Sequence, residues 1–289
     1  MAREAFQQNF YFLARRFVAG DNIGDAIAAV RELNGQGMSA TLDFLGEDVH
    51  VTEAALRTRE AYKEILDAIA QSGVDSNVSV KLTAMGLLID ENFALDNLVT
   101  ILDRAAHNRD PFVRIDMEGS SVVEATLRVF QQAFATHPNV GPVLQCYLKR
   151  TPADVENAIA LQARVRLVKG AYSESPEIAY KPMPKIRTQY LEQARRLLLH
   201  GNYPGIATHD HRLIAAVKEF AAAEGIPHDR FEFQMLYGCR PRVQRRIVAE
   251  GYRLRIYVPF GTHWAGYFYR RVLERRENAL FAISSIFSR

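Results

Sequence analysis

Only two cysteines, Cys146 and Cys239, occur among 289 residues, and they stand far apart in strand-like surroundings. A disulfide framework is therefore not the basis of the fold, and a reducing compartment fits. The chain also lacks any run of about 18 apolar residues, so no segment reads as a membrane-spanning helix. An excess of one charge is missing too. The net charge is +3, and no dense Lys/Arg run is interleaved with aromatics, which sets nucleic acid aside as a partner. No G-x-G-x-x-G follows a strand-like run, which removes the main fingerprint of an open, doubly wound nucleotide-binding sheet.

What is present is a chain 48% hydrophobic and 24% charged, enough for one large core and close to the usual size of a single α/β barrel. Two helical segments open it, roughly 4–18 and 24–36, the second closed by Gly35 and Gly37. Arg3, Arg15 and Arg16 lie among apolar residues in the manner of a transit peptide, but Glu4 and the amphipathic spacing make the segment read as part of the fold. Residues 1–39 are thus expected to be an N-terminal helical addition, and 40–289 the main unit. There, β-rich runs recur at 40–45, 78–82, 112–117, 142–148, 164–168, 205–208, 231–236 and 253–259. Helical patterns separate them, with starts at Thr52-Glu53, Asp96-Asn97, Ser120-Ser121, Thr151 to Asp154, and Asp210. Eight alternations in about 250 residues predict parallel strands with right-handed crossovers, closed as a (βα)8 TIM barrel of the α/β class. One long irregular connection, 172–184, follows the fifth strand and is a candidate lid.

A barrel places its chemistry at the carboxyl ends of its strands, and here those ends are unusually polar. Glu47 follows strand one, Lys81 and Thr83 end strand two, and Asp116 and Glu118 end strand three. Gln145 and Tyr147 lie on strand four, and Arg166 and Lys169 on strand five. Thr208 to His211 close strand six, Gln234 lies on strand seven and Tyr257 on strand eight. Alternation puts Lys81, Asp116, Gln145, Arg166, Gln234 and Tyr257 at inward positions. An inward cation is costly unless paired or liganded, so the reading divides between buried ion pairs and a pocket built for anions. Near the C-terminus a helical pattern carries Tyr267, Arg270, Arg271 and Glu274 on one side and Phe268, Tyr269, Val272 and Leu273 on the other. Its two adjacent guanidiniums match a carboxylate or phosphate bidentately, or else form a solvated face.

Three chemistries can use such a pocket. His209-x-His211 resembles a barrel metal pair, but no other strand end supplies a histidine, so a metal is not expected. Lys169, or Lys81, could form a Schiff base in a lyase or aldolase-type reaction. A set of donors could instead hold a dinucleotide. A non-catalytic ligand-binding barrel is a fourth reading, though it does not need the inward cations.

The motif Tyr-x-x-Arg-Arg-x-x-Glu at 267–274 combines with Arg-Leu-Val-Lys-Gly-Ala-Tyr at 166–172, Ala-Thr-His at 207–209 and Phe-Gln-Met-Leu-Tyr-Gly at 233–238. In that order the four closely resemble the proline dehydrogenase family, from about Thr41 to the end. The resemblance implies a flavoenzyme on a distorted barrel with the last helix over the mouth, using FAD to oxidise L-proline to Δ1-pyrroline-5-carboxylate. It implies that Arg270, Arg271 and Lys81 clamp the proline carboxylate, that Tyr257 lines the ring, and that Asp116 holds the Lys81 region. Ala171 and Tyr172 match the loop over the substrate, and Glu47 a carboxylate that pairs with one arginine to close the site. The resemblance makes Arg166 the catalytic position, hydrogen-bonding the flavin N5. Gln145, Val168, Gly170, Thr208, His209, Gln234 and Glu274 match FAD contacts. Ser173 departs from members that carry Trp against the adenine. The family also implies a membrane quinone as electron acceptor, a downstream dehydrogenase receiving the product, and a cytoplasmic enzyme peripheral on the inner membrane. The apolar tail at 281–287 could touch that membrane or a neighbouring subunit, or cover the barrel.

Overall fold

The computed structural model describes residues 16–264. Eight parallel strands close into a barrel in sequence order: β1 (Ser39–Phe44), β2 (Ser76–Val80), β3 (Val113–Ile115), β4 (Val140–Gln145), β5 (Arg166–Val168), β6 (Gly205–Ala207), β7 (Glu232–Leu236) and β8 (Arg253–Phe260). Pairing of β1 with β8, Ser39 opposite Arg255 through Phe44 opposite Phe260, completes the ring and leaves no free edge. Seven helices cross between strands: α2 (Thr52–Ser72), α3 (Glu91–Ala105), α4 (Ser120–Phe134), α5 (Thr151–Ala160), α6 (Met183–His200), α7 (His211–Ala223) and α8 (Pro241–Ala249). An eighth, α1 (Ile23–Gly35), comes from the chain before β1 and packs on β1 and β8. Its Ala26, Ile27, Val30 and Leu33 enter the same apolar cluster as the barrel. The slot outside β8 is thus filled from the N-terminal side, so no helix after β8 is needed there.

Each expected strand is present to within a few residues. One helix start differs: α3 begins at Glu91, not at Asp96-Asn97, because Asp90 accepts from Phe93 N at 2.8 Å and caps it. Asn97 is instead buried in mid-helix and donates to Met85 O at 2.9 Å. Of the first predicted helix, residues 16–18 form a turn and bend and the rest lies outside the described residues. So do the terminal helix with Arg270, Arg271 and Glu274, and the tail at 281–287. No helix among the described residues is long and apolar enough to cross a membrane.

Alternation along the strands sorts the core into two parts. Ala40, Leu42, Val78, Val80, Leu254, Ile256 and Val258 belong to the apolar cluster between strands and helices, where dispersion and water exclusion stabilise the fold. The alternate positions Thr41, Asp43, Ser79, Arg114, Arg166, Glu232, Gln234 and Arg255 are polar, and every one is buried. A barrel interior is ordinarily filled by Val, Ile and Leu. Here it is a polar stack whose members bond largely to one another and to backbone carbonyls, which is what makes their burial tolerable.

Candidate active site

At the carboxyl ends of the strands the stack becomes a cluster of cations and carboxylates. Lys81, just past β2, places Nζ 2.6 Å from Asp43 Oδ1 and 3.9 Å from Asp116 Oδ2. The second oxygen of Asp43 has no hydrogen bond among the described residues, although the carboxyl is fully buried. Burial pushes Asp43 above the usual carboxylate range, against the attraction of Lys81. For Lys81 burial acts to lower the pKa, but Asp43 and Asp116 outweigh it and hold the ammonium above its ordinary value.

Asp116, just past β3, is gripped from two sides. Tyr257 OH on β8 donates to Oδ2 at 2.6 Å, and Arg166 Nη1 at the start of β5 donates to Oδ1 at 2.7 Å. Arg166 also donates Nε to Gln234 Oε1 at 2.5 Å and Nη2 to Ser79 Oγ at 3.1 Å, with its guanidinium carbon 5.3 Å from the Tyr257 ring centre. One guanidinium therefore ties β2, β3, β5 and β7 together. A guanidinium has about five N–H groups. Three of those on Arg166 are engaged among the described residues, which leaves two for a ligand.

The neighbouring strand ends carry the remaining expected residues. Gln145 Nε2 donates to Glu118 O at 2.9 Å, and Glu118 accepts from Thr83 N and Thr83 Oγ1 at 3.2 and 2.6 Å. Burial raises the Glu118 pKa. Val168 and Lys169 continue the β4–β5 ladder, accepting from Cys146 N and Tyr147 N at 2.9 Å each. At Gly170 φ is +111°, and a Cβ there would lie 2.1 Å from the Tyr147 ring, so only glycine fits that turn. Thr208 Oγ1 accepts from Asp210 N at 3.1 Å. His209 Nε2 accepts from Leu236 N at 2.9 Å, which fixes the proton on Nδ1 and ties β6 to β7. His209 is thereby a structural acceptor between β6 and β7. Among the described residues no group of three or more His, Cys, Asp and Glu side chains gathers where a metal could be held.

Lys169, the Schiff-base candidate, is 2.8 Å from Asp210 Oδ2, and Arg187 Nε reaches the same oxygen at 2.7 Å. These two hydrogen bonds overcome burial and hold Asp210 well below the usual carboxylate range. The lysine is committed to an ion pair at the rim.

The connection after β5 is strapped down, in contrast to an open lid. Leu148 bridges Ala179, Lys149 N donates to Ile178 O at 2.8 Å, and Tyr180 N donates to Tyr147 O at 2.8 Å. The Glu174 carboxylate accepts from Ser120 N at 2.8 Å and from Ser120 Oγ, where α4 begins and the helix favours negative charge. Ala171 and Tyr172 are partly exposed on this strap, and a Cβ on Gly119 would come within 3.9 Å of the Tyr172 ring. Glu47 lies on the loop after β1, also partly exposed. Sequence reasoning missed Asp43, Ser79 and Glu232. Leu42-Asp43-Phe44 reads as an apolar run with one polar interruption, and the signal was that the interruption sits at an inward position two residues past Thr41.

A family model described as proline dehydrogenase matches residues 26–283. Proline dehydrogenase 1 of Bacillus subtilis subsp. natto is 42% identical over 94% of this chain and 90% of its own. Proline dehydrogenase of Deinococcus radiodurans is 38% identical over 97% of this chain and 92% of its own. A crystal structure of proline utilization A (PutA) from Bdellovibrio bacteriovorus inactivated by N-propargylglycine superposes with TM-score 0.87 at 27% identity. It covers 96% of this chain, which spans only 34% of that protein. Fold, site and likeness together define a (βα)8-barrel oxidoreductase. The chain belongs to the proline dehydrogenase family.

Proposed function

We propose that the chain oxidises L-proline to Δ1-pyrroline-5-carboxylate with FAD as its resident cofactor and a membrane quinone as the electron acceptor. The product would pass to a downstream dehydrogenase. Family membership supports proline oxidation itself. The observation that carries the finer reading is Arg166, a buried cation on β5 held on three sides with two N–H groups left over.

The donor set suits a flavin. Gln145, Arg166, Thr208 and Gln234 stand on or next to four consecutive strands, and in the described residues each keeps hydrogen-bonding capacity beyond its internal contacts. With Val168, Gly170 and His209 they would hold FAD along the ends of β4 to β7, and Glu274 would join them from the terminal helix. FAD, when bound, accepts a hydride from the proline ring carbon next to nitrogen. Arg166 would be the catalytic residue, donating to the flavin edge from a position that needs no reorganisation.

Substrate recognition falls to the cluster beside it. Lys81, kept cationic by Asp43 and Asp116, offers its ammonium to the proline carboxylate, and Tyr257 presents its ring beside Arg166. Arg270 and Arg271 would complete the carboxylate clamp, Glu47 would pair with one of them, and Ala171 and Tyr172 would cover the substrate. The Schiff-base reading is the weaker one, because Lys169 is ion-paired to Asp210. The visible spectrum of the purified protein tests the proposal most directly. Flavin bands that bleach on adding L-proline and return with a quinone analogue are expected. A colourless protein that cannot be reconstituted with FAD, or a covalent adduct at Lys169 trapped by borohydride with a carbonyl substrate, would overturn it.

A further inference from the structure

The opposite end of the barrel carries a second cationic opening that the proposed reaction does not use. Residues preceding β1, β2, β3, β5, β6 and β8, or starting those strands, line a cavity of about 570 Å³: among them Ser39, Asp75, Arg109, Arg164, Tyr203 and Arg253. All lie at amino-terminal ends, the far side of the sheet from Lys81, Asp116 and Tyr257.

Charge in this mouth is unbalanced. Across this cavity and the small one beneath it the arginines are Arg109, Arg114, Arg164, Arg166, Arg253 and Arg255 and the carboxylates Asp75, Asp110 and Glu232, six against three, with Arg166 paired to Asp116 on the catalytic side. Arg255 takes up two of the carboxylates, at 2.8 Å from Glu232 Oε1 and 3.1 Å from Asp110 Oδ2. Among the described residues Arg114, 3% exposed, donates to two carbonyls, Pro142 O at 3.0 Å and Arg164 O, and lies 4.6 Å from the Phe112 ring centre, with no carboxylate in ion-pair range. Burial, then the nearby Arg166 and Arg164, lowers its pKa well below the arginine range.

Arg164 is the one with a buried, orphaned donor among the described residues. Its guanidinium lies between two rings, 4.2 Å from the Phe112 centre and 4.7 Å from Tyr203. Its Nε is buried without a hydrogen-bond partner, and no carboxylate lies within ion-pair distance among the described residues. Burial lowers its pKa as well. A desolvated guanidinium held flat by aromatic faces, with its donors unused beside an open cavity, is a preorganised fork for an oxyanion.

We propose that this amino-terminal mouth is a binding site for a small, multiply charged oxyanion, a phosphate ester or a di- or tricarboxylate, held by Arg164 with Arg109 and Arg253 at the rim. Occupancy neutralises the excess charge, supplies acceptors to Arg164 and stabilises the folded barrel without touching the catalytic face.

The test is calorimetric titration of the full-length protein with inorganic pyrophosphate and, separately, citrate, at fixed ionic strength. One-to-one saturable binding of at least one probe is expected, with the tighter probe identifying the class. At about a hundredfold excess over Kd, the melting temperature should rise by roughly 5 °C. Arg164→Gln and Arg253→Gln should each weaken binding about tenfold or more, while Arg246→Gln on the exposed face of α8 leaves it unchanged. Arg253 is exposed, so its variant carries the test even where Arg164→Gln fails to fold. No saturable heat with either probe at 10-millimolar order, or equal affinity in wild type and Arg253→Gln, overturns the site. Flavin content and proline turnover do not enter these readouts, so failure here leaves the proposed reaction standing, and the reverse also holds.

Discussion

Tyr257 on β8 and Arg166 on β5 hold opposite oxygens of the same carboxylate, Asp116, at 2.6 and 2.7 Å. Three strands distant in sequence are joined at one side chain, and the aromatic ring, the guanidinium and the lysine beside it are oriented by it. Asp116→Asn should keep the fold but replace one accepting oxygen by a donor that opposes Arg166 or Tyr257. The expected loss in kcat/KM for proline is about 2–4 kcal/mol, thirtyfold or more. Tyr257→Phe removes only one donor and should cost about tenfold or less. Steady-state kinetics on both, with flavin content as control, decide the matter; equal losses would place the role in the tyrosine itself.

Asp43 is predicted to matter more for folding than its sequence context suggests. It is fully buried and the nearest counter-ion of Lys81, whose side chain is 12% exposed, and removing one partner of such a pair strands the other. Asp43→Ala should destabilise the protein by about 3–5 kcal/mol. Lys81→Met in the same background should restore part of that loss while abolishing tight proline binding. Thermal melts of the single and double variants separate the two effects, and an additive double variant would contradict the pairing.

The strap after β5 offers a third test. Glu174 fastens the strap to the start of α4 through Ser120, so Glu174→Ala should loosen the segment around Tyr172 while leaving the barrel intact. The cost in stability is expected to be about 1 kcal/mol. Proline KM should rise several-fold with little change in melting temperature. Unchanged KM would show that Tyr172 does not cover the substrate.

Much of this was legible in the chain, for definite physical reasons. Eight β-rich runs separated by amphipathic segments specify a closed parallel barrel, because short crossovers of one hand allow little else. Lys81, Asp116, Gln145, Arg166, Gln234 and Tyr257 stand out in the chain because a charged or hydrogen-bonding side chain at a period-two inward position is conspicuous. Asp43 does not, since an acidic residue next to a turn is common and its partner is 38 residues away. The start of α3 was misplaced because Asp96-Asn97 carries the same capping chemistry as Asp90, and only the packing of Asn97 under Met85 O distinguishes them. Lys169 was ambiguous because a strand-end lysine reads alike as nucleophile or ion pair until Asp210 is seen beside it. The pairing of Arg164 with two rings was invisible, as Phe112 and Tyr203 come from different strand ends.

Arg270 and Arg271 lie outside the described residues, and their role is a prediction from the two-sided helical pattern. If they grip the proline carboxylate, Arg270→Ala and Arg271→Ala should each weaken kcat/KM by about 2–5 kcal/mol, mostly through KM, with melting temperature and flavin retained. Lysine should restore only part, because a point charge cannot reproduce the fork. Near-normal KM in the alanine variants, or loss of fold and flavin together, would make these arginines structural.

The pH dependence of stability follows from Asp210, whose carboxyl is held below its ordinary value by Lys169 and Arg187. A depressed folded-state pKa means that the unfolded chain takes up the proton first as pH falls. The contribution is therefore fully present above the ordinary aspartate value near 3.8 and is lost progressively as pH drops below it. Both cations are partly reached by solvent, so the contribution is expected to be on the order of 1 kcal/mol, not the larger figure that a fully buried pair would give. Asp210→Asn should accordingly melt a few degrees below wild type at pH 7, and the gap should begin to narrow only as the pH falls below about 3.8 and go on narrowing in more acid buffer. Part of the gap should also close in high salt, since the pair is screened. A gap that stayed constant down to acid pH would mean that Asp210 acts through its capping bond to Arg212 N, 3.1 Å away, which asparagine also makes less well, and not through its charge.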